Sequence, residues 1–250
     1  MPLENINTLN KHNGGLRLAF SKNTENVAQL ARKPITRSKQ TVRVLYPSTK
    51  VGRMIQCESL LEQKAAAHFE FSAPVRRYKE QPETICVPWH KGTFKFTPDF
   101  ELQFLDGTTM FIEVKPSAKL MDKILVERLQ AIERYYKKRD LQFSVVTEKE
   151  VNHPIRNKNL TLLRAHKQYK YSHSQRVEIR KFLTDLGGSA SVDEVISRFR
   201  SAKLVFSLLA DMVITTDLDL PLDSTTIVRL PEEPDYETCI FMCRSASNLV

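Results

Sequence analysis

The sequence predicts a mixed α/β sheet flanked by helices, with a smaller α+β unit behind it. Three observations point there. An alternating stretch turns back on itself between residues 95 and 116. A long amphipathic pattern and a buried-type strand follow it, in the order of a β-α-β crossover. The charge also changes sign along the chain. Residues 1–50 carry nine Lys/Arg against two Asp/Glu, residues 51–171 carry 21 against 15, and residues 172–250 carry 8 against 12.

Taken in order, residues 1–45 read as a basic arm, rich in Asn, Thr, Lys and Arg, that is either an extended leader or a segment that orders on a partner. "CESLLEQKAAAHFEF", 57–71, is helix-like, with Leu61, Ala65, Ala66 and Phe69 on one face. Residues 75–89 mix a short extended stretch with proline breaks. "KFTPDFELQFL", 95–105, alternates, placing Phe100, Leu102 and Phe104 on one face and Asp99, Glu101 and Gln103 on the other. "DG" at 106–107 turns the chain, and "TTMFIEVKP" returns with Ile112 and Val114 on the apolar face until Pro116 stops it. A helix over 118–138 presents Leu120, Ile124, Leu125, Leu129, Ile132 and Tyr136, and "LQFSVVT", 141–147, is the buried-type strand. These elements place a sheet domain at 46–154. Residues 155–171 read as a basic linker. Over 172–250, a helix ended by Gly187 and Gly188, a second opened by a Ser191–Glu194 capping box, a third over 202–212 and two alternating stretches around "PLD" suggest an acidic winged-helix-like domain and tail.

Composition excludes several classes. The chain has 250 residues, 41% hydrophobic and 27% charged, with mean hydropathy −0.35. That is a globular profile, with no apolar run of membrane length and no apolar signal-peptide core in "MPLENINTLNKHNGG". Cys57, Cys86, Cys239 and Cys243 lack metal-site spacing and read as reduced thiols. The net charge of +9 suits a protein that neutralises nucleic-acid phosphates. His68 and His90 each read as ordinary surface or half-buried histidines.

The hairpin carries the chemistry. With a three-residue loop, Leu105-Asp106-Gly107, Phe104 pairs with Thr108 and Asp99 falls opposite Glu113, their Cβ atoms about 5 Å apart. Lys115 shares that face. Two carboxylates so close repel unless a divalent cation stands between them. Mg²⁺, with Mn²⁺ as a substitute, prefers such oxygens and can polarise a phosphodiester. Lys115 beside it can balance developing charge. The same three residues also suit the solvated face of an ordinary hairpin, with Glu–Lys pairs worth a few tenths of a kcal/mol.

"PD" at 98–99, thirteen residues, then "EVK" at 113–115 form the PD-(D/E)XK pattern of restriction-like nucleases, and Glu62 adds an acid on the preceding helix. The wider sequence resembles TnsA, the endonuclease subunit of heteromeric cut-and-paste transposases. The residues that carry it are "SLLE" at 59–62, "YKEQP" at 78–82, "TPDF" at 97–100, "EVKP" at 113–116, "ERYY" at 133–136 and "TEKEV" at 147–151. The resemblance spans about residues 50–155 and implies a restriction-endonuclease-like fold. It implies catalytic roles for Glu62, Asp99, Glu113 and Lys115. It also implies a metal held by Asp99, Glu113, the backbone carbonyl of Val114 and Glu62, the last directly or through water. Some family members carry Gln at the Glu113 position.

The implied activity is cleavage of the 5′ strands at transposon ends in double-stranded DNA, in the bacterial cytoplasm. A TnsB-like recombinase subunit would cut and join the other strands. A TnsC-like AAA+ regulator would engage the complex, with the C-terminal region as a contact. The third C-terminal helix has only Lys203 as a basic residue, so phosphate contact is assigned instead to Arg76, Arg77, Lys79, Lys91 and Lys95. A stand-alone restriction-like or repair nuclease and a catalytically silent DNA-binding adaptor are the competing readings.

Overall fold

The computed structural model describes residues 43–231. The arm up to residue 42, Cys239, Cys243 and the tail from 232 lie outside the described residues. The sheet comes from β3 (Val75–Glu80), β6 (Phe100–Phe104), β7 (Thr109–Val114) and β8 (Gln142–Val146), in that spatial order. β3/β6 and β6/β7 are antiparallel and β7/β8 parallel, so it is a mixed sheet. The hairpin register is the expected one: Phe100 pairs with Ile112 and Leu102 with Met110. Gly107 takes φ 90°, a left-handed conformation that costs a glycine nothing.

Both faces of the sheet are covered. On one side lies α1 (Leu60–Glu70) with the hairpin β1 (Val44–Ser48) and β2 (Arg53–Cys57). Ala65, Ala66 and Phe69 of α1 pack with Tyr46, Ile55, Phe100, Leu102, Ile112 and Val114. Phe69 meets Phe100 edge-on at 5.4 Å between centroids. On the other side α2 (Lys123–Lys137) and the hairpin β4 (Ile85–Trp89) and β5 (Gly92–Phe96) enclose Phe111, Phe143 and Val145. Tyr136 stacks on Phe111 at 4.2 Å. The face that an ordinary hairpin would leave solvated is buried along β7, where Phe111 and Glu113 are 5% and 6% exposed.

Several boundaries differ from the sequence reading. The single strand over 95–105 is two, β5 and β6, because Pro98 has no N–H to continue a ladder. Residues 75–89 hold two strands, and the β1/β2 hairpin was not anticipated. The helix over 118–138 divides into a 3₁₀ turn, Ser117–Met121, and α2, because Asp122 caps the amides of Ile124 and Leu125. Ile124 is consequently 53% exposed rather than on the buried stripe. After α3 (Glu148–Val151), the expected linker 155–171 is largely a helix, α4 (Pro154–His166), opened by Pro154 and burying Asn159, Leu160 and Leu163.

Beyond α4 come α5 (His173–Asp185), β9 (Ser189–Ser191), α6 (Val192–Phe199), α7 (Ala202–Ala210) and β10 (Ile227–Arg229). The Ser191–Glu194 capping box is present. The two stretches around "PLD" do not form a hairpin of two full strands. β10 pairs with β9, and only Thr215 bridges to Arg229. The intervening aspartates make turns of their own, such as Asp223 accepting from Thr225 and Thr226. Leu163 of α4 and Phe71 at the end of α1 join this core.

A buried polar joint fastens α4 to the sheet domain. Glu70, 1% exposed, accepts from Ser48, Thr49 and Tyr78, and pairs with Lys167 at 2.9 Å. Burial opposes its charge, but the Thr49 hydrogen bonds and the Lys167 ammonium outweigh that and hold its carboxyl at about 2.

Candidate active site

The site lies where β6 begins and β7 ends. Asp99 sits in the turn between β5 and β6, and its Oδ2 accepts the backbone N–H of Val114 at 2.7 Å. That bond ties the aspartate to the last rung of the β6/β7 ladder. Glu113 projects from the same end of β7. The Lys115 ammonium pairs with Glu113 Oε1, reaches Asp99 Oδ2 at 3.7 Å and donates to the Val114 carbonyl at 3.3 Å. One cation thus sits against three of the four oxygen groups that the resemblance assigns to a metal, Glu62 being the fourth.

Electrostatics follow from that crowding. Burial first, then the Asp99 charge, pushes the Glu113 carboxyl up to about 8. Burial also raises Asp99, opposed by the Lys115 charge and the Val114 N–H. Burial disfavours the Lys115 charge, yet Asp99 and then Glu113 hold its ammonium above the usual lysine range. Glu62, on the first turn of α1, is pushed up to about 7 by burial and then by Asp99. It accepts from the Ser59 hydroxyl at 2.9 Å and from the Glu58 N–H at 2.6 Å, while Ser59 caps the Glu62 N–H. The helix cap therefore fixes this carboxylate.

The donor set suits a hard divalent cation: carboxylate oxygens and one carbonyl. Glu113 Oε2 is buried without a hydrogen-bond partner and could face such a cation. With the Lys115 ammonium between the acids, no three His, Cys, Asp or Glu side chains among the described residues stand at ligand spacing. The ammonium occupies the space between the two acids.

Residues 72–148 match the family model described as TnsA-like endonuclease N terminal. This segment is similar to the N-terminal domain of TnsA-like endonucleases. A search of curated proteins finds no match to the chain. The TnsA-like segment holds Asp99, Glu113, Val114 and Lys115, while Glu62 precedes it.

The five basic residues do not gather at this end of the TnsA-like domain. Lys79 pairs with Glu101, two residues from Asp99, and Lys95 lies four residues before Asp99. Arg77 pairs with Gln103, roughly 13 Å along the strand at about 3.3 Å per residue, and Arg76 lies farther still in the bulged end of β3. Lys91 occupies the β4–β5 turn, over the Trp89 ring. His68 is buried against Asn157, and burial lowers it to about 4, while His90 faces Glu127 at the surface. Sequence reasoning missed Glu58 and Gln81, which bond to each other beside the acids. Their signal was placement: Glu58 directly precedes the Ser59 cap, and Gln81 lies within "YKEQP".

Proposed function

We propose that the chain is a metal-dependent DNA endonuclease of cut-and-paste transposition that cuts the 5′ strands at transposon ends. The observation that carries this reading is the convergence of Asp99, Glu113 and the Val114 carbonyl on one cation, within a TnsA-like endonuclease domain. Asp99, Glu113 and the Val114 carbonyl would hold Mg²⁺ or Mn²⁺, with Glu62 as a further direct or outer ligand. Such an ion supplies charge neutralisation and polarises a phosphodiester oxygen. Lys115, displaced from between the acids, keeps its proton and faces the charge that develops on the phosphate. Glu62 is held by its cap at a fixed place next to Asp99. Lys79 and Lys95 are the basic side chains best placed to meet the flanking phosphates.

The unit behind α4 supports the winged-helix reading in its order: helix, short strand, two helices, strand. Its third helix α7, buried and with Lys203 as its one basic residue, favours a protein partner over DNA. The partner subunits implied by the TnsA resemblance, a TnsB-like recombinase and a TnsC-like AAA+ regulator, complete this reading. No helix among the described residues is long and apolar enough to cross a membrane.

The test is strand-resolved nicking of DNA bearing transposon ends, with Mg²⁺ or Mn²⁺ and with the matching recombinase added or withheld. The expected result is 5′-strand cleavage that requires the recombinase and the metal and disappears in Asp99→Ala. Cleavage by the chain alone would make it a stand-alone nuclease. DNA binding without cleavage in both proteins would make it an adaptor.

A further inference from the structure

The element that ties the start of α1 to the Asp99 turn is Gln81. It follows β3 with φ 42°, a left-handed conformation that a non-glycine residue adopts at a cost. That conformation turns both its amide groups to use. Its backbone N–H donates to the Asp99 carbonyl at 2.9 Å. Its side-chain Nε2 donates to Glu58 Oε1 at 2.9 Å. Glu58 in turn donates its own N–H to Glu62 Oε2 at 2.6 Å. A continuous hydrogen-bonded path thus runs from Asp99 through Gln81 and Glu58 to Glu62. Glu58 is also close enough for its charge to act on both Asp99 and Glu62, so where its carboxylate points matters to both.

We infer that Gln81 is a positioning residue: its side-chain amide holds Glu58, and through it the start of α1, so that Glu62 and Asp99 stay in register for a divalent cation. The inference rests on the metal-site reading of Asp99 and Glu113. Arg53 and Glu80 reinforce the same edge. The Arg53 guanidinium pairs with the buried Glu80 carboxylate next to Gln81, and the Gln56 N–H donates to that carboxylate as well.

The test is Mn²⁺ binding to the full chain, measured by calorimetry, for wild type, Gln81→Gly, Glu58→Ala, the double variant and Asp99→Ala. Glycine removes the amide side chain while adopting the left-handed backbone without strain, so the variant keeps its fold and the Asp99 contact. Thermal unfolding in EDTA checks this, with a midpoint at or above that of wild type. Gln81→Gly is expected to weaken Mn²⁺ binding about tenfold, as loss of a residue that orients metal ligands does. Glu58→Ala is expected to weaken it similarly, and the double variant no further, because the two act as one path. Binding by Gln81→Gly within twofold of wild type, or losses that add in the double variant, would overturn the assignment. Asp99→Ala separates the two levels. If it binds Mn²⁺ as tightly as wild type, the metal-site reading fails and takes this inference with it. If only Asp99→Ala loses binding, the metal site stands and Gln81 has no part in it.

Discussion

Replacing Glu113 by Gln removes one carboxyl charge from the buried group and keeps the side chain's size. In the folded chain burial, then Asp99, pushes Glu113 up to about 8, and burial, then Asp99, pushes Glu62 up to about 7. Both folded values lie above the unfolded one. Each carboxyl's contribution is therefore fully present below the unfolded value and lost as pH rises through the folded value. Between about pH 6.5 and 8 that loss is about 2 kcal/mol for Glu113 and about 1 kcal/mol for Glu62. His68 has the opposite sign. Burial lowers it to about 4, so its contribution is lost as pH falls toward 4 and is flat above 6.5. The upper window thus isolates the carboxyls. Urea unfolding in EDTA, followed through the single tryptophan, Trp89, reads the effect. Wild type is expected to lose about 2 to 3 kcal/mol across the window and Glu113→Gln about 1 kcal/mol. Adding Mg²⁺ is expected to restore wild type more at pH 8 than at pH 6.5, because protons no longer compete for the oxygens. Equal slopes for the two proteins, or a wild-type stability that rises across the window, would refute the electrostatic account of the site.

Two further outcomes follow from other contacts. Arg53→Ala leaves the Glu80 carboxylate, 1% exposed, without its cationic partner and with only the Gln56 N–H of the contacts described, and is expected to cost about 3 kcal/mol in the same urea assay. Lys79→Ala and Lys95→Ala are each expected to lower the salt dependence of duplex DNA binding by about 0.9 of a logarithmic unit, whereas Arg76→Ala and Arg77→Ala leave it unchanged. Titrations at several salt concentrations decide this, and equal slopes for all four variants would show that the register argument selects the wrong residues.

What the sequence revealed depended on whether the signal was local. The hairpin is legible to the residue because "DG" admits few loops, and Gly107 at φ 90° pins the one used, so the sequence sets Phe100 opposite Ile112 as the structure does and brings Asp99 to the Glu113 end of β7. The Ser191 cap was legible for the same reason. The alternation over 95–105 masks the effect of Pro98, from which the split between β5 and β6 that puts Asp99 in a turn follows. Asp122 was read as part of a helix although aspartate at a helix start competes for its own amides. Residues 155–171 looked like a linker because α4 has a weak apolar stripe. Its burial comes from Glu70, Lys167 and the α7 face, partners far away in sequence. The Gln81–Glu58 bond spans 23 residues and carries no periodic signature at all.

The burial of Glu113 bears on why two acids and a lysine share this hairpin. A solvated face would leave each carboxylate to water, where a Glu–Lys pair is worth a few tenths of a kcal/mol and any polar residue would serve. Here Glu113 is 6% exposed among Asp99, Lys115 and Glu62, and its Oε2 is shut away without a donor. Burying a carboxylate that way costs several kcal/mol unless something charged compensates. Lys115 compensates one oxygen and leaves the other. A core serving stability alone would gain by placing an apolar side chain there, as at Phe111 two residues earlier. Burial and Asp99 push the Glu113 carboxyl up to about 8, so it keeps a proton near neutral pH, and on the reading proposed above a divalent ion would take that proton's place beside Asp99 and the Val114 carbonyl.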